Sequence, residues 1–255
     1  MNEMLHVDAI SIRFGGLQAV DGVSFAVGEG ELLGLIGPNG AGKTTALRLI
    51  TGVLKVDSGR ILIAGTDVTR LPTHRRVRRG IALTHQIVKP FRSLSVLDNV
   101  VLAAGLKRTR NALGALFQVG RCDEERKARG ILERVGLEDY ADAEPDMLPL
   151  GLLKRLEVAR ALALDPRIVL LDEPLAGLNQ KEATRLADTI VELNRDGLTV
   201  VLVEHNLGEI LRVVSRLVVL DSGAVIADGP PDTVIADPRV RNAYLGIGED
   251  EHAAA

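Results

Sequence analysis

The sequence of 255 residues predicts an α/β fold built around a phosphate-binding loop. The apolar strand Leu32–Ile36 runs directly into the glycine-rich stretch Gly37–Thr45, which opens a helix-like segment. Strand-length apolar runs such as Val200–Val203 recur later in the chain. Residues from about 95 to 163 show helical spacing without a strand-like run, so helices interrupt the sheet in sequence.

The first thirty residues predict antiparallel strands. Alternate residues are apolar at Ile10, Ile12 and Phe14, and a second strand-like run covers Val23–Val27. The turn Gly28-Glu29-Gly30 then leads into the strand before the phosphate loop. Two more strands are predicted over Arg60–Gly65 and Ile81–Thr84.

Two charged, amphipathic helices are predicted inside the helical block, Asp123–Val135 and Leu150–Leu164, the second closed by Asp165-Pro166. The alternation of strands and helices then resumes. It gives the strand Arg167–Asp172, the helix Gln180–Arg195, the strand Thr199–Glu204 and a hairpin around Ser222-Gly223.

Composition narrows the class of protein. A net charge of −3 gives no overall attraction to nucleic acid, and the basic run from His74 to Arg79 is expected to be a solvated helix face. No apolar run is long enough to span a membrane, and no secretory signal opens the chain. The single Cys122 cannot form an internal disulfide, which favours a reducing, cytosolic setting.

The phosphate loop predicts binding of a nucleoside triphosphate. Glycines let successive backbone N–H groups converge on phosphate oxygens, Lys43 reaches the β- and γ-phosphates, and the Thr44 hydroxyl can ligate Mg²⁺. The predicted nucleotide-binding residues of this loop are Gly37, Pro38, Asn39, Gly40, Ala41, Gly42, Lys43, Thr44 and Thr45.

Further polar residues stand at strand ends, where α/β sheets bind ligands. Asp172 and Glu173 end an apolar strand, and in this arrangement the first acid supports Mg²⁺ and the second polarises an attacking water. His205 follows the next strand. Gln86 follows the strand Ile81–Thr84 and could reach the metal or the water.

In this order of motifs the chain resembles the ATP-binding subunits of ABC transporters, from about residue 5 to 246. The resemblance implies a P-loop (RecA-like) ABC ATPase core with an N-terminal antiparallel β subdomain and an inserted helical subdomain. It also implies a single domain of residues 1–246, in which 1–92 and 165–246 form the α/β core, 93–164 form the helical subdomain and 247–255 form a flexible tail.

The same resemblance implies roles for individual residues. Phe14 would stack on adenine, Gln86 would link the site to the membrane subunits, Glu173 would be the catalytic carboxylate and His205 would contact the γ-phosphate. The Mg²⁺ ion would be bound by Asp172, Thr44 and Gln86. The implied cofactors are ATP and Mg²⁺, and in this family two such subunits sandwich two ATP molecules head to tail.

A narrower resemblance is to the LivG-type ATPases of branched-chain amino-acid importers. It rests on Arg13–Val20, the insertion around 111–143, Leu175–Asn179 and Asn242–Gly246. Importers of urea and short amides and the lipopolysaccharide-export ATPase share much of this pattern, so the substrate stays open. The implied partners are two integral-membrane permeases and, indirectly, a solute-binding protein, at the cytoplasmic face of the membrane.

The sequence departs from the family at the signature, usually Leu-Ser-Gly/Tyr-Gly-Gln. Here it reads Leu148-Pro149-Leu150-Gly151-Leu152. In the family this segment reaches the partner's γ-phosphate through its Ser, Gly and Gln. Of these three residues only the glycine, Gly151, is kept. Proline suits the first turn of a helix but offers neither a hydroxyl nor an N–H. We expect a site weakened in trans and therefore a heterodimer with a second ATPase, although a homodimer with a tolerated variant stays open.

Other classes fit the sequence less well. A soluble ABC-type ATPase acting on nucleic acid usually carries tandem cassettes or long coiled-coil inserts, and this chain has neither. Glu173 and His205 argue against a subunit that binds ATP without hydrolysing it. Nothing in the chain resembles the acceptor-binding lid of a kinase.

Overall fold

The computed structural model describes residues 2–84, 88–105, 122–205 and 207–245. Its strands are β1 (Glu3–Phe14), β2 (Leu17–Gly28), β3 (Leu32–Ile36), β4 (Ser58–Ile63), β5 (Thr66–Asp67), β6 (Ile81–Thr84), β7 (Ile168–Asp172), β8 (Thr199–Val203), β9 (Arg216–Asp221) and β10 (Ala224–Gly229). Its helices are α1 (Lys43–Thr51), α2 (Thr73–Val77), α3 (Val96–Gly105), α4 (Cys122–Val135), α5 (Leu150–Ala163), α6 (Gln180–Arg195), α7 (Leu207–Val213), α8 (Pro231–Ala236) and α9 (Pro238–Leu245).

The strands form two sheets. A four-stranded sheet has the order β2-β1-β4-β5, and its pairs are antiparallel. A six-stranded sheet has the order β10-β9-β3-β8-β7-β6, parallel except for the β9–β10 hairpin. Because β3, β7 and β8 are parallel neighbours, their carboxyl ends lie at one edge of the sheet.

The six-stranded sheet is buried on both faces. Alternate residues of β3 show this directly, since Leu33 and Leu35 belong to a core shared with the four-stranded sheet and α1. Leu32 and Ile36 belong to a second core, which is filled by helices α3 to α6. Both faces are therefore apolar, and this explains why the parallel strands read as continuous Val, Leu and Ile runs.

The predicted helical block lies between β6 and β7 in sequence, where α3, α4 and α5 pack on one another. Helices α4 and α5 begin and end within one residue of their predicted limits. Among the described residues, no helix is long and apolar enough to cross a bilayer. The predicted tail, 247–255, lies outside the described residues.

Arg76 departs from the expected solvated helix face. Its side chain is buried and donates hydrogen bonds to the carbonyl oxygens of Leu49 and Ile50 at 2.7 Å, near the end of α1. It also donates to the carbonyls of Leu71 and Thr69. A guanidinium carries five donors, so four carbonyls can satisfy most of them without a carboxylate. The charge also suits the negative end of α1, the helix that follows the phosphate loop.

Candidate nucleotide site

The phosphate loop connects β3 to α1 at the carboxyl edge of the six-stranded sheet. Two of its glycines are required by the backbone. Gly42 has φ 98°, and a Cβ there would stand 2.6 Å from the carbonyl oxygen of Ala19. A Cβ at Gly37 would stand 2.1 Å from the carbonyl oxygen of Leu220. Glycine is needed at both positions because any side chain would collide with main-chain atoms.

Lys43 is folded back onto this loop. Its ammonium donates to the carbonyl oxygens of Gly37 at 2.6 Å and of Pro38 at 2.9 Å, and only 6% of the residue is exposed. Burial lowers the pKa of Lys43, an effect that the carboxylates of Glu173, Asp172 and Glu204 oppose. The loop thus carries a desolvated cation beside the position where an anionic phosphate is expected.

Asp172 ends β7 and is buried beside the loop. The Thr44 hydroxyl donates to Asp172 Oδ1 at 3.3 Å, which joins residues 128 positions apart in sequence. Both groups present oxygen atoms, the ligands that Mg²⁺ prefers. No cluster of three His, Cys, Asp or Glu side chains that could hold a metal occurs in the described ranges. A magnesium ion at this pair would need further oxygen ligands, such as phosphate oxygens and water.

Glu173 follows in the left-handed region of backbone space, at φ 49°. Its carboxylate is 13% exposed and lies 3.8 Å from Nδ1 of His205, measured from Oε1. His205 follows β8 and its side chain is half exposed. The structure therefore brings together the acid and the imidazole that the sequence placed after neighbouring strands.

An open cleft of about 670 Å³ joins the nucleotide-side residues. Phe14, 47% exposed at the end of β1, lines it together with the phosphate loop and Glu173. Leu17, Gln18 and Ser222 also line it, and none of the three was predicted from the sequence. An exposed aromatic ring beside a glycine-rich loop offers a stacking surface next to a phosphate cradle.

Two further predicted residues are Gln86 and Gly151, and Gly151 is expected to face the partner's nucleotide. Gln86 falls outside the described residues. Gly151 lies buried in the first turn of α5, where a Cβ would approach the Glu182 carboxylate to 3.1 Å, and it does not line the cleft. Pro149 is the residue before that helix and makes no side-chain capping bond. Leu150, directly after it, and Met147, two residues before it, are exposed.

Sequence reasoning missed two buried charged residues beside Glu173. Glu204 is 1% exposed, and its Oε1 accepts the N–H of Leu175 at 2.8 Å. Burial raises the pKa of Glu204 to about 7, and the Glu173 charge adds to this effect. Lys154 is 4% exposed and donates to the carbonyl oxygen of Glu173 at 3.0 Å. The position of Glu204 directly after a strand was a signal that it lies near the site. No feature of the sequence distinguished Lys154 from the other charged residues of its helix.

The C-terminal helix also reaches the loop. Tyr244 on α9 has a buried hydroxyl that makes no hydrogen bond of normal geometry within the described part of the chain. Burial raises the pKa of Tyr244 to about 12, while the Gly37 amide acts in the opposite direction. The phenol therefore sits next to the first residue of the phosphate loop.

These features define a P-loop nucleotide hydrolase with an inserted helical block, the architecture of an ATP-binding cassette. The sequence profile of the family described as ABC transporter matches residues 20–176. A second profile, described as branched-chain amino acid ATP-binding cassette transporter, matches residues 224–250. The chain belongs to the ABC transporter family, whose members hydrolyse ATP to power transport.

Relatives match over nearly their whole length. The high-affinity branched-chain amino acid transport ATP-binding protein BraF of Pseudomonas aeruginosa is 37% identical over 249 residues, 95% of this chain and 98% of BraF. The lipopolysaccharide export system ATP-binding protein LptB of Escherichia coli K12 is 37% identical over 233 residues, covering 91% of this chain and 93% of LptB.

Solved structures agree with the fold. The ADP conformation of MJ1267, an ATP-binding cassette of an ABC transporter, superposes with a TM-score of 0.84 at 31% identity over 96% of this chain and all of that one. The dimeric post-hydrolysis cassette MJ0796, bound to ADP and Pi, gives a TM-score of 0.77 at 28% identity over 89% of this chain and 98% of that one. The predicted fold class is confirmed.

Proposed function

We propose that this chain is the ATP-hydrolysing subunit of an importer for branched-chain amino acids, and that Glu173 is the base that activates water. The proposal for Glu173 rests on its position, because a poorly solvated carboxylate lies in one cleft with the phosphate loop and Lys43. Transport class and substrate rest on the match over residues 224–250.

In this proposal the residues divide the work of phosphoryl transfer. Backbone N–H groups of residues 39–45 and the Lys43 ammonium hold the phosphates and stabilise the charge that develops in the transition state. The Glu173 carboxylate accepts a proton from water as the water attacks the γ-phosphorus, and ADP leaves with the bridging oxygen. His205, close to Glu173, contacts the transferred phosphoryl group, and Phe14 stacks on the adenine.

Magnesium fits the oxygen pair of Thr44 and Asp172. We assign these two residues to hold it together with Gln86, a role for Gln86 that the family resemblance implies. When bound, the ion neutralises charge on the phosphate oxygens. Thr44 is therefore expected to exchange its hydrogen bond with Asp172 for a metal bond.

The variant Glu173→Gln tests the assignment of the base. It keeps the size and removes the proton acceptor, so ATP turnover should fall at least about a hundredfold while ATP affinity is retained. Glu192→Gln, the same change on an exposed position of α6, is the matched control. Unchanged turnover in Glu173→Gln would refute the assignment.

The proposed partners are two membrane permeases, reached at the cytoplasmic face of the membrane, and indirectly a solute-binding protein. Phe91 is an exposed aromatic residue in the loop before α3, and the Arg160 guanidinium stands 5.2 Å from its ring centroid. Asn99 holds this loop, since it bonds both the N–H and the carbonyl oxygen of Phe91. A fixed apolar side chain of this kind suits the docking of a short permease helix, with Leu94 as a second apolar contact.

The substrate can be tested through the complete transporter. Its ATP turnover in liposomes should rise when the binding protein is loaded with leucine, isoleucine or valine. Stimulation by urea or a short amide instead would favour the related importers. Turnover that depends on a lipopolysaccharide and not on any binding protein would point to export.

We further propose that the second ATPase of the complex is a different chain. In a homodimer, both sites would receive Pro149 and Leu152 where the family uses Ser and Gln, and so both would lack side-chain donors to the γ-phosphate. A partner with the complete signature would supply these donors to the site built on Lys43, Glu173 and His205. The opposite site would mainly hold nucleotide.

Single changes in the reconstituted pair test this asymmetry. Glu173→Gln in this chain should remove most of the turnover, while the matching Glu→Gln change in the partner should remove little. Equal losses from the two changes would contradict an asymmetric pair.

A further inference from the structure

The turn that carries Glu173 has an unusual backbone. Glu173 adopts φ 49°, a region that residues with side chains rarely occupy, and its N–H donates to the carbonyl oxygen of Val203 at 3.0 Å. Such a conformation persists when surrounding groups over-determine it. The contacts made by the rest of this turn, Glu173-Pro174-Leu175, therefore matter for the direction of the Glu173 carboxylate.

One of these contacts comes from the helical block. Lys154 extends from α5 and donates to the carbonyl oxygen of Glu173 at 3.0 Å, with 4% of the residue exposed. Burial lowers the pKa of Lys154, while the nearby carboxylates of Glu204, Glu173 and Asp172 oppose this shift. A cation placed in this way makes a charge-assisted bond to the first carbonyl of the turn.

The other contact comes from the neighbouring strand. Glu204 follows β8, is 1% exposed and accepts the N–H of Leu175 at 2.8 Å. The pKa of Glu204 also depends on Lys154, which favours its ionised form. The two ends of the turn are therefore bonded to buried groups of opposite charge from two separate elements.

We propose that Lys154 and Glu204 are positioning residues that hold the turn Glu173-Pro174-Leu175 and thereby aim the Glu173 carboxylate at the attacking water. The inference rests on the proposed role of Glu173. Helix α5 would then have two roles. Gly151 in its first turn is expected to face the partner's nucleotide, and Lys154, one helical turn later, contacts the turn that carries Glu173. The helix that serves the opposite site thus holds the base of this chain's own site.

Kinetics of the reconstituted ATPase test the proposal. In Lys154→Met and Glu204→Leu, kcat should fall at least about tenfold while the KM for ATP changes by less than about threefold, because the phosphate-binding groups stay in place. Glu204→Gln keeps an acceptor for the Leu175 N–H and should retain at least about a third of native kcat. Lys127→Met is the matched control, since Lys127 on α4 donates to the carbonyl oxygen of Ala163 at 3.0 Å, away from the cleft.

Hydrogen exchange provides a readout that does not depend on catalysis. The amides of Glu173 and of residues 175–178 should exchange faster in Lys154→Met than in the native chain or in Lys127→Met. Unchanged exchange together with native kcat would overturn the proposal. If Glu173→Gln left turnover intact while exchange at this turn still rose in Lys154→Met, the role of Glu173 would fail and the structural role of Lys154 would stand.

Discussion

Lys43 Nζ lies 2.6 Å from the carbonyl oxygen of Gly37, six residues earlier in the same loop. In the proposed site, contacts to phosphate oxygens would replace or join this bond and the bond to Pro38, since an ammonium carries three donors. Both carbonyls belong to a loop in which neither Gly37 nor Gly42 can carry a side chain, so the space around the ammonium is restricted. The site is therefore built for a compact cation.

The variant Lys43→Arg should lose ATP binding although it keeps the charge. A planar guanidinium needs more room than an ammonium and cannot occupy the same buried position. We expect the Kd for ATP to rise at least about tenfold, measured with a fluorescent nucleotide. Lys55→Arg, at an exposed position, should leave the Kd unchanged. Native affinity in Lys43→Arg would show that Lys43 does not contact phosphate.

Restoring the signature should activate the isolated chain. In Pro149→Ser with Leu152→Gln, the serine replaces a residue that makes no capping bond at the start of α5, and both donors return. Turnover of the chain paired with itself should rise about tenfold if these donors meet the γ-phosphate. Vigorous, cooperative hydrolysis by the native chain alone would show that Pro149 is harmless.

Charging Phe91 should uncouple hydrolysis from transport. Phe91→Asp removes an exposed apolar contact that lies outside the nucleotide cleft, so ATP binding by the isolated subunit should stay near normal. Substrate uptake by the complete transporter should fall below about a tenth of the native rate. Val53→Asp, another exposed apolar position, serves as the control. Equal loss of ATP binding and uptake would contradict a role of Phe91 that is confined to docking.

The raised pKa of Glu204 predicts that the stability of the folded chain depends on pH. Its pKa is raised from 4.5 to about 7 in the folded chain, so the folded state binds more protons than the unfolded state between these values. The free energy of unfolding therefore falls as pH rises through this window, by about 3 kcal/mol in total for this group. Glu204→Gln lacks the ionisation.

Thermal unfolding at two pH values tests whether the free energy of unfolding falls as pH rises. At about pH 8, Glu204→Gln should be more stable than the native chain, and near pH 5 the difference should shrink, since Glu204 is then largely protonated when folded. Glu192→Gln, exposed on α6, is the matched control. A constant difference between Glu204→Gln and the native chain at both pH values would contradict the raised pKa.

The sequence was informative where local chemistry determines the geometry. A strand, a glycine-rich turn and a helix at fixed spacing predicted the loop of Gly37 to Thr45, because few other residues allow main-chain N–H groups to converge. The apolar strand that ends in Asp172 and Glu173 could be predicted from the sequence equally well. Glu173 and His205 were both expected at the carboxyl ends of strands, and the pairing of β7 with β8 shows that these ends are adjacent.

Long-range burial could not be predicted in the same way. Arg76 stands in a basic run that is typical of solvent-exposed helices, and only the tertiary fold surrounds it with four carbonyls. Lys154 likewise occupies a charged helix, and its contact with Glu173 joins residues 19 positions apart across two elements. The groups that accept hydrogen bonds from these buried charges come from other elements of the fold, which a local pattern does not encode.

ATP-driven uptake by the complete transporter in proteoliposomes, with ATP on the side of this chain, is the most direct test of the proposed function. The native chain should support accumulation of labelled leucine, and Glu192→Gln should match it. Glu173→Gln should reduce the initial rate at least about a hundredfold while ATP still binds. Accumulation at the native rate with Glu173→Gln, or no accumulation of any branched-chain amino acid by the native complex, would contradict it.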